Sequence, residues 1–236
     1  MEIQMHYVFD IDGTLTPSRG KMDKEFSNWF EHFATHDAVY LVTGSDRDKT
    51  IEQVGSQIYN LSARVYNCSG NDVYQQDQSV YRTDWKLPAE ARKWLEITLI
   101  NSPFSLRTGN HIEERPGCVN FSIVGRNCTL GERKLYVKYD EINKEREDIA
   151  RQFNYVFGPS SLGLRAVIGG ETGLDIFPVG CDKSQIIKDF PNEEIIFFGD
   201  KMDHDGNDYP LARVNKGTNH HVKDWQHTWD ILKEYA

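Results

Sequence analysis

Three short apolar runs, each stopping at an acidic or hydroxyl-bearing turn, predict an α/β protein. They are Tyr7-Val8-Phe9 before Asp10, Ala38 to Val42 before Thr43, and Glu194 to Phe198 before Gly199-Asp200. Stretches at helical spacing separate them, which is the alternation of a doubly wound, Rossmann-like sheet. A middle block breaks that rhythm: Val119, Phe121 and Ile123 alternate with polar residues, as in an antiparallel strand with one covered face. The expected architecture is therefore a Rossmann-like core formed by residues 1–78 and 179–236, interrupted by an α+β cap over 79–178, with the active site in the cleft between them.

Each element has its own warrant. Phe26, Trp29, Phe30 and Phe33 recur at helical spacing, predicting a helix from Asp23 to about Ala34 whose aromatics are core rather than a binding stripe. Ala38 to Val42 is the second buried strand. Ser45 and Asp48 have the spacing of a capping box that opens a helix through Ile51, Val54 and Ile58. In the middle block, Pro88 to Thr98 reads as a helix with Ala91, Trp94 and Leu95 inward. Thr129-Leu130-Gly131-Glu132 reads as a second capping box, and Ile142, Ile149 and Phe153 continue one helical face after it. Leu164 to Ile168 and Leu174 to Phe177 read as short strands around Gly169-Gly170, and a helix through Ile186 and Ile187 precedes the last apolar strand.

A chain of 236 residues can bury a substantial core as one large or two small domains. Its longest apolar runs are strand length, and Met1 to His6 lacks the basic start and apolar stretch of a signal peptide, so a soluble cytoplasmic protein without a membrane partner is expected. Cys68, Cys118, Cys128 and Cys181 form no C-x-x-C pair; reduced thiols in a cytosol account for them. The net charge of -9 argues against nucleic acid as the main partner. Any anionic substrate must be met by a local basic cluster.

The most informative stretch is Asp10-Ile11-Asp12-Gly13-Thr14-Leu15-Thr16-Pro17, which places two carboxylates where a buried strand stops. In open α/β sheets ligands collect outside the carboxyl ends of the strands. An Asp there can attack phosphorus and carry the phosphoryl group, provided the incoming oxygens are neutralised. Asp12, two positions on, lies on the same side of an extended chain and can move a proton at the leaving or attacking oxygen. Gly13 permits a tight turn, and Thr14 adds a hydroxyl. Thr43 and Ser45, at the end of the second strand, are further candidates to touch a phosphate, Ser45 having a capping role as its ordinary alternative.

Asp200 stands at a third strand end and heads a loop running to Asn207-Asp208. Asp10, Asp200 and the main-chain carbonyl of Asp12 form an oxygen set suited to Mg²⁺ beside a phosphate. A calcium loop of EF-hand type fails, because setting Gly206 at the invariant glycine puts Lys201 and Ala212 at ligand positions. His220 and His221 make a weak zinc pair, since adjacent histidines do not easily face one ion, and a solvated tail is the plainer reading. Lys183 can balance the charge of Asp10 and a transferred phosphoryl group.

This pattern resembles the haloacid dehalogenase superfamily, and more closely its eukaryotic-type phosphomannomutases. The resemblance is carried by Phe9 to Arg19, Gly109 to Glu113, Asn120 to Arg126, Gly169 to Lys183, Phe197 to Lys201 and Gly206 to Asp208. It implies a haloacid dehalogenase core with an inserted α+β cap, and interconversion of mannose 6-phosphate and mannose 1-phosphate with a hexose 1,6-bisphosphate as activator. It also implies Asp10 as the phosphorylated nucleophile, Asp12 as general acid/base, and Lys183 beside them. Asp200 becomes a Mg²⁺ ligand, and Asn207 and Asp208 join Asp10 and Asp12 in the metal set. Arg19, Arg115, Arg126, Arg133 and Asp175 match positions that hold the sugar phosphate, and a homodimer through the cap is suggested. The arginines also make sense by themselves, because a planar guanidinium fork suits phosphate oxygens.

The chain departs from the family at Gly173, where a Ser that helps bind the phosphosugar is usual, and at Cys181, where a Trp is usual. Losing one such hydrogen bond costs on the order of 1 kcal/mol unless water or backbone replaces it. A phosphatase on a related sugar phosphate is the first alternative, and a catalytically silent sugar-phosphate binding protein the second. Intact Asp10, Asp12, Lys183 and Asp200 count against the latter.

Overall fold

The computed structural model describes residues 5–204 and 206–235. The N-terminal residues 1–4, used above to argue against a leader, and Asp205 of the acidic loop lie outside the described residues. Two compact units make up the chain: Met1–Thr83 together with Gly180–Ala236, and Asp84–Val179.

The first unit is built on a seven-stranded sheet. Its strands are β1 (His6–Phe9), β2 (Ala38–Val42), β3 (Arg64–Asn67), β4 (Asp72–Gln75), β5 (Gln78–Arg82), β10 (Ile195–Gly199) and β11 (Thr218–His221), in the order β11-β10-β1-β2-β3-β4-β5. The five from β11 to β3 are parallel, and β4 and β5 close one edge as an antiparallel hairpin. Alternate residues feed cores on both faces, as a parallel sheet requires. Tyr7 and Phe9 face α1 (Lys24–His36), α2 (Arg47–Leu61) and α7 (Trp225–Tyr235). Val8 and Phe197 face the other side, against Ile186, Phe190 and Leu211. Asp23 caps α1 by accepting from the backbone of Glu25 and Phe26, and the helix then buries Phe26, Phe30 and Phe33. These aromatics are core, as their spacing indicated.

The second unit pairs a four-stranded antiparallel sheet with three helices. The strands are β6 (Ile112–Arg115), β7 (Cys118–Phe121), β8 (Leu164–Gly169) and β9 (Gly173–Pro178), in the order β6-β7-β9-β8. Val119, Phe121, Leu174 and Ile176 share a core with Ala91 and Leu95 of α3 (Ala89–Asn101), Tyr136 of α4 (Leu130–Asn143) and Phe153 of α5 (Glu145–Phe157). The opposite sheet face carries Glu113, Asn120 and Asp175, aligned by the pairings Glu113↔Asn120 and Asn120↔Asp175.

Several expectations change on contact with the structure. The first break between units falls between Thr83 and Asp84, not after residue 78, because β5 completes the hairpin with β4. Asp46, not Ser45, caps α2, accepting from the backbone N–H of Lys49 at 2.9 Å. The capping box at Thr129 and Glu132 is present, but the face expected to run on through Ile142 stops at Lys144, whose left-handed backbone separates α4 from α5. Ile142 is exposed. The segment through Ile186 is a 3₁₀ helix, Lys183–Asp189. His220 and His221 are no solvated tail: they end β11, where the His220 ring stacks 4.6 Å from Phe198 and meets the Tyr235 hydroxyl at 2.9 Å.

Candidate active site

Three parallel strands lie side by side in the order β10-β1-β2, with Phe9 level with both Phe198 and Leu41. Their carboxyl ends therefore deliver Asp200, Asp10 and Thr43 to one edge of the sheet. Carboxylate oxygens of Asp10, Asp200 and Asp208 lie within 4.8 Å of one another. The Lys183 ammonium, 1% exposed, donates to Asp10 Oδ1 and, at 2.6 Å, to Asp208 Oδ1. Asp208 Oδ2 accepts from the backbone N–H of Lys201 at 3.0 Å, and the Thr14 hydroxyl donates to Asp10 Oδ2 at 3.3 Å.

Burial pushes the Asp10 carboxyl up to about 7, with the charge of Asp208 adding to the rise and Lys183 opposing it. Burial weighs against the Lys183 ammonium too, but Asp10 and Asp208 outweigh it and its pKa is raised. Asp200 is raised, first by burial. Such shifts mark a site short of positive charge. Three carboxylates face one ammonium, a shortage of positive charge that a divalent cation makes good. The fit is also steric and chemical. Asp200 Oδ1 is buried without a hydrogen-bond partner. A side chain on Gly13 would collide with Asp200 Oδ2, and one on Gly199 would lie 2.7 Å from Asp208 Oδ2, so both glycines are needed for the carboxylates to close in. The donor set is all oxygen, which suits Mg²⁺.

Asp12 is not in the carboxylate trio. Its Oδ1 accepts from the backbone N–H of Arg19 at 2.6 Å and from Gln53 Nε2 at 2.9 Å. The Gln53 amide also donates to the Thr16 hydroxyl and the Gly20 carbonyl, both at 3.3 Å, while the main-chain carbonyl of Gln53 accepts from the backbone N–H of Met22 at 2.8 Å. That residue was not singled out in the sequence. The one available signal is Gly55, whose non-helical backbone interrupts α2 two positions later. Arg19 is exposed. Thr43 is buried and its hydroxyl accepts from the backbone N–H of Ser45 at 3.1 Å. Asn207 is exposed and adds no carboxylate beside Asp208.

The second unit gathers its own charges. Arg115 Nε donates to Glu113 Oε2 at 3.1 Å, and Arg126 Nε lies 3.3 Å from the same oxygen. Arg133, from α4, pairs with Glu171 at 3.2 Å. Asp175 Oδ1 accepts from the Asn120 amide at 2.7 Å. That amide fills the space beside Gly173: a Cβ there would lie 2.7 Å from Asn120 Nδ2. Glu113, Asn120 and Glu171, which lie within the motif stretches of the sequence but were given no role there, are the partners of the arginines and Asp175.

The sheet order, the inserted unit and the carboxylates at the strand ends define the haloacid dehalogenase fold with an inserted α+β unit. Solved structures share it: sucrose-phosphatase of Synechocystis sp. PCC6803, with a TM-score of 0.58 at 10% identity over 99% of this chain and 98% of that one. The IMP-nucleotidase of Plasmodium falciparum gives 0.61 at 14% identity over 98% and 70%. The chain belongs to the family described as eukaryotic phosphomannomutase, whose profile matches residues 26–236. Among relatives, the phosphomannomutase of Spinacia oleracea is 32% identical over 91% of this chain and 89% of that protein. Phosphomannomutase 1 of Dictyostelium discoideum is 31% identical over 87% and 85%. No helix of the described residues is long and apolar enough to cross a membrane.

Proposed function

We propose that this enzyme interconverts mannose 6-phosphate and mannose 1-phosphate, with Asp10 as the phosphorylated nucleophile and a hexose 1,6-bisphosphate as activator. The observation that carries the mutase reading is the presence of two different charge centres. One is the buried Lys183 between Asp10 and Asp208; the other is the trio of arginines in the second unit, Arg115 and Arg126 on one carboxylate and Arg133 on another. A mutase must grip its substrate by the phosphate that is not reacting, and arginines supply that grip.

In the proposed cycle an Asp10 oxygen attacks the phosphorus of the activator, and the bond from phosphorus to the sugar oxygen breaks. Asp12 gives a proton to the departing oxygen. The phosphoaspartate then passes its phosphoryl group to the free hydroxyl of a bound hexose monophosphate, Asp12 taking that hydroxyl's proton, and the bisphosphate so formed turns round and returns its other phosphoryl group to Asp10. Gln53 and the backbone of Arg19 fix the Asp12 carboxylate for that exchange. Lys183 neutralises charge as the phosphoryl group arrives, and the hydroxyls of Thr14 and Thr43 are available to its oxygens. Asp10, Asp200, Asp208 and the main-chain carbonyl of Asp12, with Asn207 at hand, would hold Mg²⁺, whose charge would offset that of the phosphoryl oxygens facing the attacking carboxylate. Asp175 and the side chains of Arg19, Arg115, Arg126 and Arg133 hold the hexose phosphate. Thr43 and Ser45 border the reacting phosphoryl group.

We further propose a homodimer through the second unit, supported by exposed apolar side chains on its helices, Ile100, Leu135, Ile142 and Tyr155 among them. A cytoplasmic location accords with four cysteines that form no disulfide. The test is purified enzyme with Mg²⁺, activator and mannose 1-phosphate. Mannose 6-phosphate as the main product supports the mutase. Free phosphate as the main product replaces it with a sugar-phosphate phosphatase, the reading favoured by Gly173 where the mutase pattern has a hydroxyl.

A further inference from the structure

The three arginines of the second unit are all met by carboxylates, but in two different ways. Glu113 lies within a strand, and its Oε2 is shared by Arg115 and Arg126. Glu171 sits on the turn between β8 and β9, has a side chain 61% exposed, and touches Arg133 through a single 3.2 Å contact. The turn's backbone is pinned around it. Arg146, itself paired with Asp140, donates to the Gly170 carbonyl at 2.9 Å, and the Ser122 hydroxyl donates to the Thr172 carbonyl at 3.0 Å. The main chain therefore presents Glu171 at a fixed place while its side chain can swing away into water.

We infer that Glu171 is a specificity-determining residue: an internal competitor that occupies Arg133 until a phosphate monoester displaces it. The inference rests on the reading of Arg133 as part of the hexose-phosphate site. A carboxylate carries one negative charge, whereas a phosphate monoester carries up to two near neutral pH and offers three oxygens to a guanidinium. An anion must therefore outbid Glu171 to bind, which selects doubly charged phosphate esters over singly charged ligands and keeps the product from binding too tightly. An exposed ion pair is weak enough to be displaced.

The test is a double-mutant cycle read by calorimetry, with mannose 1-phosphate titrated into wild-type, Glu171→Gln, Arg133→Ala and doubly substituted protein, in Mg²⁺ and at fixed low salt. Glu171→Gln should bind about fivefold to tenfold more tightly than wild type. Arg133→Ala should bind about tenfold more weakly, and in that background the gain from Glu171→Gln should vanish. A gain that survives without Arg133 overturns the competitor role, because Glu171 would then act only through the general field. Equal or weaker binding by Glu171→Gln overturns it as well, while leaving the hexose-phosphate reading intact. Wild-type protein that binds mannose 1-phosphate no better than free mannose defeats that underlying reading, and this inference with it.

Discussion

The two units handle charge in opposite ways. The first buries it: Asp10 and Asp208 are 3% and 0% exposed, and Lys183 between them is almost wholly enclosed. The second keeps Arg115, Arg126 and Arg133 partly open to water, each within ion-pair distance of a carboxylate. Buried charges interact strongly and reorganise little, which suits a centre where bonds are made. Half-exposed pairs exchange partners at small cost, which suits a surface that must take up and release a substrate. Substitutions in the first unit should therefore change turnover, and substitutions in the second should change binding.

The largest effect expected is from Asp10→Asn, which should abolish turnover. An amide of the same shape cannot attack phosphorus, and it is a poorer metal ligand. It also removes one like charge from the buried trio, so the melting temperature measured without metal should be no lower than that of wild type. Activity at the wild-type rate would remove the covalent step from the first unit. Chelation should be nearly as severe: EDTA should end turnover, Mg²⁺ should restore it, and zinc should not. Mg²⁺ should also raise the melting temperature of wild type more than that of Asp200→Asn, since a ligand that binds only the folded state stabilises it by mass action.

Asp12→Asn is expected to slow turnover by about 10²-fold to 10⁴-fold, the usual worth of a positioned proton donor, with Mg²⁺ affinity largely kept. Gln53→Leu sharpens the point, because Asp12 would keep its charge but lose one of its two hydrogen bonds. A fall in turnover with an unchanged KM is the expected result there. In the second unit the sign of the split reverses. Arg126→Ala and Arg133→Ala should raise the KM for mannose 1-phosphate about tenfold or more, since a charge-assisted contact to phosphate is worth roughly 1.5–3 kcal/mol. Phosphoryl transfer to Asp10 from acetyl phosphate should be nearly unchanged. Equal losses in both assays would erase the contrast between the units.

The same contrast explains what could be read from the sequence. The strands β1, β2 and β10 are apolar because they are covered on both faces, and their last residues expose the site, so Asp10, Thr43 and Asp200 were legible. β6, with sequence Ile-Glu-Glu-Arg, was not read as a strand because one of its faces carries the arginine site and is polar. β11, at the sheet edge, is Thr-Asn-His-His and gave no apolar signal. Ile142 misled because an apolar residue at helical spacing is here exposed. Lys183 and the arginines were found as charged residues in a recognisable order. Gln53, Glu113 and Glu171 were not, because a residue that orients another leaves no periodicity and is identified only by what it touches.

The smallest effect expected lies at Gly173, where sequence alone predicts a lost hydrogen bond to the sugar phosphate. Restoring a hydroxyl by Gly173→Ser should then improve binding by about fivefold, the worth of one hydrogen bond. The structure gives a different answer. The new Cβ would stand 2.7 Å from Asn120 Nδ2 and 2.9 Å from Asn120 Oδ1, too close for either to stay. The Asn120 amide is the end of a rotatable side chain, so it can turn, but in turning it gives up its 2.7 Å bond to Asp175 Oδ1. Asp175 would then be freer to move just where the serine hydroxyl arrives. Gain and loss are of similar size, so the KM for mannose 1-phosphate should stay within about threefold of wild type. A fivefold or greater improvement would show that the Asn120 amide contributes nothing to the site and merely fills the room that glycine leaves.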